Sequence, residues 1–253
     1  MLSSVPMVIS NSMGMSKQSP VLVPWSSAPG NNTALVCIPW AGAGATPFSA
    51  WGSVIGDAAS VYGARLAGRE SRQTQPPATS LAEVVTELAG ELAALQAPRV
   101  ALFGQCSGAL LAYEVAKELH RSGEGPEVVH LLVGSQLPPR ALADSRIDSG
   151  QDLTRYVPEG LREEPELLAV LLPILAADMK LVADYAYAPG APLDVPLTVF
   201  YGARDEELSR ADVDGWRQET TGAADFREIA DADHLFGGGA WLELAREIRT
   251  ALA

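Results

Sequence analysis

The sequence predicts an α/β fold built on an open, mostly parallel, doubly wound sheet with a helical insertion. Two observations lead to this prediction. Short apolar runs typical of buried strands alternate with helical patterns along most of the chain, whereas residues 138–192 contain no convincing strand. The alternation implies crossover connections between parallel strands, and in such sheets functional sites gather at the carboxyl ends of the strands. The length of 253 residues suits one domain of this kind.

The helices and strands follow from local patterns. Ser80 and Glu83 form a capping box that opens a helix, and apolar residues then recur at helical spacing. That apolar face consists of Leu81, Val84, Val85, Leu88, Leu92 and Leu95. Further helices are expected at 110–120 and 240–252. Strands are expected at 34–39, 61–66, 99–103, 128–133, 195–201 and 226–230.

The insertion at 138–192 is interpreted as a lid over the carboxyl edge of the sheet. Its helical pieces, 161–170 and 174–187, are expected to be interrupted by Pro165 and Pro173. Six lid leucines face either the core or a substrate channel, and packing in the core is the default expectation. They are Leu167, Leu168, Leu171, Leu172, Leu175 and Leu181.

The chain before the first predicted strand, residues 1–33, is expected to be a flexible N-terminal arm, and 34–253 the folded domain. The arm has no basic segment ahead of an apolar one, so it does not resemble a signal peptide and the expected compartment is the cytoplasm. In that compartment Cys37 and Cys106 are not expected to form a disulfide.

Composition excludes several classes of function. A hydrophobic content of 47% and a charged content of 19% are typical of a globular protein. The formal net charge of −13 argues against a nucleic-acid partner, which needs a basic surface, and against an anionic membrane. No apolar run reaches the ~20 residues needed to span a bilayer.

The most informative motif is Gly-Gln-Cys-Ser-Gly at 104–108, which lies between a predicted strand and a predicted helix. This is the arrangement of a nucleophile elbow, with cysteine in place of the usual serine. Gly104 and Gly108 leave room for the sharp turn. The turn also aims the first N–H groups of the helix at the atom under attack. The alternative is that Cys106 is a buried structural cysteine.

A cysteine nucleophile needs a histidine base, and the chain has three histidines. His120 ends the helix after the elbow, roughly 18 Å along the axis from Cys106. His130 lies within a strand and is expected to be a packing residue. His234 follows the last strand, at the carboxyl edge of the sheet, and is the predicted base.

The base needs an orienting acid, and Asp205 is predicted for this role. It lies just after the strand at 195–201, which gives the chain order nucleophile, acid, histidine. Asp231 and Asp233 are alternatives that stand too near His234 in sequence to reach back easily. Glu206 and Glu207 are also possible.

Stabilising an oxyanion takes two backbone donors. The elbow supplies the N–H of Ser107, and the loop after the 34–39 strand supplies the second, which we assign to Ala41. In the alternative interpretation, Gly42 and Gly44 make that loop merely a flexible turn. Ser107 stands at the first helical position, so its hydroxyl is expected to point away from the site where the nucleophile reacts.

Together these residues resemble the stand-alone type II thioesterases of non-ribosomal peptide and polyketide assembly lines, members of the α/β-hydrolase superfamily. The resemblance covers residue 34 to about 248. The segments that resemble the family are residues 37–42, 64–70, the elbow at 104–108, Asp178 with residues 185–187, residues 202–205 and His234. It implies an α/β-hydrolase fold, with Cys106, Asp205, His234, Ala41 and Ser107 as triad and oxyanion positions. It implies no bound cofactor, because the partner, an acyl- or peptidyl-carrier protein, carries the substrate on its own phosphopantetheine arm.

The sequence departs from that family at three positions. Cys106 stands where serine is usual, and both Gln105 and Trp40 stand where histidine is usual. We expect Trp40 and Gln105 to contact substrate, although Trp40 could equally serve only in packing.

The cysteine changes the chemistry, because an acyl-cysteine is itself a thioester and transfer from a carrier thiol is nearly isoenergetic. Besides hydrolysis, the sequence therefore allows an acyl or aminoacyl transferase that passes the group to another thiol or an amine. A general carboxylesterase and a non-catalytic binding protein on a hydrolase scaffold are further alternatives.

Overall fold

The computed structural model describes residues 20–145, 152–157 and 159–253. Seven strands form one sheet in the order β1-β3-β2-β4-β5-β6-β7. Strands β2 to β7 are parallel, and β1 pairs antiparallel with β3 at the edge. The strands are β1 (Leu22–Pro24), β2 (Thr33–Ile38), β3 (Ser60–Ala64), β4 (Arg99–Gln105), β5 (Glu127–Gly134), β6 (Leu197–Gly202) and β7 (Ala224–Ile229). The predicted doubly wound α/β sheet is confirmed.

Helices cover both faces of the sheet. They are α1 (Trp51–Ile55), α2 (Leu81–Ala94), α3 (Ser107–Ser122), α4 (Pro139–Asp144), α5 (Glu159–Arg162), α6 (Pro165–Ala183), α7 (Arg210–Val213) and α8 (Ala240–Leu252). Short 3₁₀ helices lie at Thr46–Ala50, Glu70–Arg72, Leu153–Tyr156 and Asp214–Glu219. Within the described ranges, no helix combines the length and the apolar character that crossing a membrane requires.

The core consists of two layers because side chains alternate along each strand. In β2, Val36 and Ile38 pack toward α2 and α3, whereas Leu35 and Cys37 pack toward α1 and α8. All six residues of β2 are buried. Burial on both faces explains why the central strands are continuous apolar runs in the sequence.

The assignment of residues 1–33 to a flexible arm is wrong for the last part of that segment. Val21 and Leu22 are buried, β1 pairs with β3, and the Trp25 indole donates a 3.2 Å hydrogen bond to the Ala45 carbonyl. The apolar run at β1 is too short to identify as a strand from the sequence. Residues 1–19 lie outside the described residues.

In the described residues of the lid region between β5 and β6, helices α4, α5 and α6 are present, as predicted for a helical insertion, but the predicted interruption at Pro173 is wrong. Helix α6 continues through Pro173 and begins at Pro165, a favoured position for proline. Pro173 removes one backbone hydrogen bond, to the carbonyl of Ala169. Both residues are exposed, so water can hydrate that carbonyl.

The six lid leucines divide between core and surface. Leu175 and Leu181 are buried, Leu168, Leu171 and Leu172 are partly buried, and Leu167 is 46% exposed. The C-terminal half of α6 is therefore the part fixed against the domain, and its N-terminal half lies more open to solvent.

Candidate active site

Cys106 lies at a sharp turn between the end of β4 and the start of α3. Its backbone has φ +52° and ψ −123°, a conformation that a residue with a side chain rarely adopts. A Cβ on Gly104 would lie 2.1 Å from the Gly108 carbonyl oxygen, and one on Gly108 would lie 2.3 Å from the Ile38 carbonyl oxygen. Both glycines are therefore required for close backbone approach, as the elbow motif predicts.

His234 and Asp205 form a hydrogen-bonded pair beside this turn. His234 Nδ1 lies 2.9 Å from Asp205 Oδ2, and the imidazole also interacts with the Cys106 thiol. The second oxygen of Asp205 accepts from the backbone N–H groups of Glu207 and Leu208, at 2.9 and 3.1 Å. The structure thus brings together the three residues that the sequence predicts as the triad.

The electrostatics of the pair favour opposite charges. Burial by itself lowers the pKa of His234, but the hydrogen bonds with Asp205 and Cys106 outweigh it and raise the pKa to about 11. Burial raises the pKa of Asp205, and its hydrogen bonds, chiefly with His234, bring it below its ordinary value. An imidazolium next to a thiol stabilises the thiolate, which is the nucleophilic form of cysteine.

The other two histidines lie elsewhere. His120 is exposed in the last turn of α3. His130 on β5 pairs its Nε2 with Thr198 Oγ1 at 2.9 Å, and burial lowers its pKa to about 4. A neutral, partly buried histidine of this kind is a packing residue, as the sequence predicts.

The alternative acids near His234 have other partners. Asp231 forms an exposed ion pair with Arg204. Asp233 accepts from the backbone N–H groups of Leu235 and Gly237, at 3.1 and 2.9 Å, and so holds the turn that follows His234. Neither of the two aspartates is the partner of the imidazole, whereas Asp205 is.

The loop from Trp40 to Thr46, here called the oxyanion loop, follows β2. The backbone N–H of Ala41 and that of Ser107, at the start of α3, have no acceptor in the part of the chain that the structure describes. Gly42 N–H, in contrast, donates to Asp178 Oδ2 at 2.7 Å. Free donors at Ala41 and Ser107 are what an oxyanion site requires, and their role stays a prediction.

The structure buries the Gln105 side chain, and its contact with substrate stays a prediction. Its Nε2 donates a 2.8 Å hydrogen bond to the carbonyl of His234. Side chains alternate along a strand, so the residue before the nucleophile points into the protein. Trp40 is half-buried and packs edge-on against Trp241, with ring centroids 5.6 Å apart; its contact with substrate stays a prediction.

A buried ion pair between Arg69 and Asp178 was not predicted from the sequence. It joins the connection after β3 to the lid helix α6 through two hydrogen bonds of 2.7 and 2.8 Å. The available signal was a single acidic residue within an otherwise apolar helical face that includes Leu175 and Leu181.

A narrow apolar cavity of about 10 Å³ lies between α3 and the lid, with room for roughly one water molecule. It is lined by Pro39, Leu66, Leu81, Ser107, Leu111, Asp178, Leu181 and Val182. Ser107, whose backbone N–H is a candidate oxyanion donor, is therefore one of the lining residues. Across the described ranges, no group of three or more His, Cys, Asp or Glu side chains is arranged to hold a metal ion.

Comparison with known proteins gives one consistent family. Residues 33–252 match the family model for the thioesterase domain. The chain is 30% identical to the gramicidin S biosynthesis protein GrsT of Aneurinibacillus migulanus, over 74% of this chain and 76% of that protein. It is also 30% identical to the thioesterase PikA5 of Streptomyces venezuelae, over 87% and 81%.

Solved structures agree with this match. The thioesterase RedJ from the prodiginine pathway of Streptomyces coelicolor superimposes with a TM-score of 0.79 and 31% identity, over 89% of this chain and 87% of that one. YbtT, a type II thioesterase from the yersiniabactin pathway, gives 0.77 and 26%, over 92% and 96%. The chain therefore belongs to the thioesterase family, with the α/β-hydrolase fold and the likeness to type II thioesterases that its sequence predicts.

Proposed function

We propose that this thioesterase removes acyl groups from the phosphopantetheine thiol of an acyl- or peptidyl-carrier protein in non-ribosomal peptide or polyketide biosynthesis, through an acyl-Cys106 intermediate. The observation that carries the proposal is the His234–Asp205 pair, 2.9 Å apart, beside a cysteine on a strained strand-to-helix turn. Relatives named for such pathways, among them GrsT and YbtT, support the carrier-bound substrate.

The reaction begins with attack of the Cys106 thiolate on the thioester carbonyl. The N–H groups of Ala41 and Ser107 stabilise the oxyanion that forms. When the tetrahedral intermediate collapses, the bond to the carrier sulfur breaks, and the departing sulfur takes the proton of the His234 imidazolium. The products of this half-reaction are acyl-Cys106, neutral His234 and the free carrier thiol.

Hydrolysis completes the cycle. Neutral His234 accepts a proton from water as the water oxygen attacks the acyl-Cys106 carbonyl. Collapse of the second tetrahedral intermediate breaks the carbon–sulfur bond, which returns Cys106 as thiolate and releases the carboxylic acid. The imidazolium–thiolate pair is then restored, and Asp205 keeps the imidazole in the required orientation through both steps.

A second candidate function is acyl or aminoacyl transfer, which Cys106 itself favours. A serine nucleophile would form an ester, downhill from the thioester, whereas acyl-Cys106 keeps the activated bond. A second carrier thiol or an amine could then attack acyl-Cys106 in place of water. The first half-reaction is the same for both functions.

The two functions are separated by incubating the protein with a labelled acyl-carrier and a second, empty carrier. Free labelled acid alone supports hydrolysis, and label on the second carrier supports transfer. Cys106→Ser is the matched variant, because its ester intermediate should shift product toward free acid. Carrier binding by the wild-type protein without any bond cleavage would overturn both functions.

The cytoplasm is the proposed compartment. Both cysteines are free, Cys37 being buried and Cys106 partly exposed, and free thiols persist in reducing compartments.

A further inference from the structure

We propose that Arg69 and Asp178 act as a positioning pair for the oxyanion loop, so that the lid helix α6 fixes the Ala41 N–H donor. This inference rests on the proposed function, because it concerns the transition state of that reaction.

The oxyanion loop has little regular structure of its own. Among the described residues, its internal backbone bonding is a 3.1 Å hydrogen bond from Ala43 N–H to the Trp40 carbonyl. Gly42, with φ +80°, adopts a backbone conformation that few other residues tolerate. A catalytic donor must be held within a fraction of an ångström, so the loop depends on groups outside it.

The Asp178 carboxylate supplies the main attachment. Its Oδ2 accepts from Gly42 N–H at 2.7 Å and from Arg69 Nη1 at 2.7 Å, and its Oδ1 accepts from Arg69 Nη2 at 2.8 Å. Arg69 Nη1 also donates to the Ala43 carbonyl at 2.9 Å. The pair therefore holds the two residues that follow Ala41: Asp178 binds Gly42 from α6, and Arg69 binds Ala43 from the connection after β3.

Packing reinforces this attachment. A Cβ placed on Gly42 would lie 3.3 Å from the Cβ of Leu175 in α6, so loop and helix are in close contact. Ala41 and Leu175 belong to the same buried apolar cluster. Both Arg69 and Asp178 are more than nine-tenths buried, where a charge–charge hydrogen bond is strong and the loss of one partner leaves an unpaired charge.

Glu70, next to Arg69, holds the other end of the loop. Its Oε1 accepts from the backbone N–H of Thr46 at 3.0 Å and from the Thr46 hydroxyl at 2.6 Å. Its Oε2 pairs with Arg65 at 2.7 Å. The loop is thus held at Gly42, Ala43, Ala45 and Thr46, and only the attachment at Gly42 comes from α6.

The consequence is specific to the chemical step. Displacing one oxyanion donor costs about 10²–10³ in kcat in enzymes of this type. Breaking the Arg69–Asp178 pair leaves the nucleophile and the base in place. Among the described residues, no hydrogen bond or ion pair joins either member of the pair to Cys106, His234 or Asp205. Loss of the Arg69–Asp178 pair should therefore lower kcat and leave alkylation of the Cys106 thiol unchanged, because alkylation forms no oxyanion.

The test compares Asp178→Asn with Asp184→Asn. Asp184 is a matched control, because it is an exposed carboxylate just beyond the C-terminal end of α6 that pairs with Lys180. Acylation of Cys106 by p-nitrophenyl acetate is followed by intact mass, and thioester turnover gives kcat and KM. We expect Asp178→Asn to lower the acylation rate and kcat by about 10²-fold with little change in KM, and Asp184→Asn to match the wild-type protein.

Iodoacetamide labelling of the same variants separates positioning from folding. The two thiols report different things, since Cys37 is fully buried and Cys106 is accessible. In folded Asp178→Asn, Cys106 should be labelled at the wild-type rate and Cys37 should stay unlabelled. If Cys37 becomes labelled, the variant has lost its fold, and Arg69→Lys takes its place: it keeps the positive charge but loses the two-point hydrogen bond, and we expect kcat to fall at least tenfold.

Folded Asp178→Asn or Arg69→Lys with a wild-type kcat would overturn this inference while leaving the proposed function intact. Thioester turnover by Cys106→Ala at the wild-type rate would overturn the proposed function, and this inference with it.

Discussion

Gln105 and His234 are joined by a 2.8 Å hydrogen bond from the Gln105 side-chain amide to the His234 carbonyl, across 129 residues of sequence. Gln105 directly precedes Cys106 on β4, and His234 stands in the loop after β7. The bond therefore ties the backbone next to the candidate nucleophile to the backbone of the candidate base.

Replacing Gln105 with methionine should weaken this connection. The His234 carbonyl loses its donor, which should lower the free energy of unfolding by about 0.5–1.5 kcal/mol and slow turnover. Chemical denaturation and steady-state kinetics measure the two effects. Gln218→Met is the matched control, because Gln218 is exposed; equal stability of the two variants would contradict the role of Gln105.

The reactivity of the two cysteines should differ sharply. Burial raises the pKa of the Cys37 thiol well above its ordinary value, so iodoacetamide should label Cys106 alone. Peptide mapping by mass spectrometry locates the label.

Replacing His234 with alanine should slow labelling of Cys106 at pH 7 at least tenfold, because the thiol loses the imidazole that interacts with it and activates it. Unchanged labelling in this variant would show that the imidazole does not activate the sulfur.

The identity of the orienting acid is tested by two substitutions. Asp205→Asn should lower kcat by ~10⁴, as expected when the partner of a triad histidine loses its charge. Asp233→Asn should cost little, because the asparagine oxygen can still accept from the N–H groups of Leu235 and Gly237. The reverse pattern would move the acid assignment to Asp233.

Stability should depend on pH through His234. Its pKa in the folded protein is raised to about 11, above the value of about 6.5 in the unfolded chain. The charged imidazole therefore adds fully to the free energy of unfolding below pH ~6.5, and this stabilisation is lost as the pH rises toward ~11. Chemical denaturation of the wild-type protein and His234→Gln should show a stability difference at pH 6 that shrinks at pH 9. A difference that grows with pH would contradict the charge state assigned to the imidazole.

The sheet is largely predictable from the sequence for a physical reason. Strands buried on both faces must be short apolar runs, and each of the six predicted strands lies within a few residues of β2 to β7. Strand β1 could not be predicted from the sequence, because three residues are too few to show a pattern. Its place is fixed by pairing with β3.

The candidate triad is equally predictable, because Cys106, Asp205 and His234 each follow a strand, and parallel strands end at one edge of the sheet. The direction of a single side chain is harder to predict. Gln105 adjoins Cys106 in the sequence but points into the protein, where it holds the His234 loop. The Arg69–Asp178 pair joins residues 109 positions apart, and no local pattern specifies such a pairing.

The central claim, a covalent acyl group on the Cys106 sulfur, is tested most directly by intact-mass measurement after mixing the protein with an acyl-loaded carrier. The wild-type protein should gain the mass of the acyl group, peptide mapping should place it on Cys106, and Cys106→Ala should gain nothing. A Cys106→Ala variant that releases acid from the carrier at the wild-type rate would contradict the account.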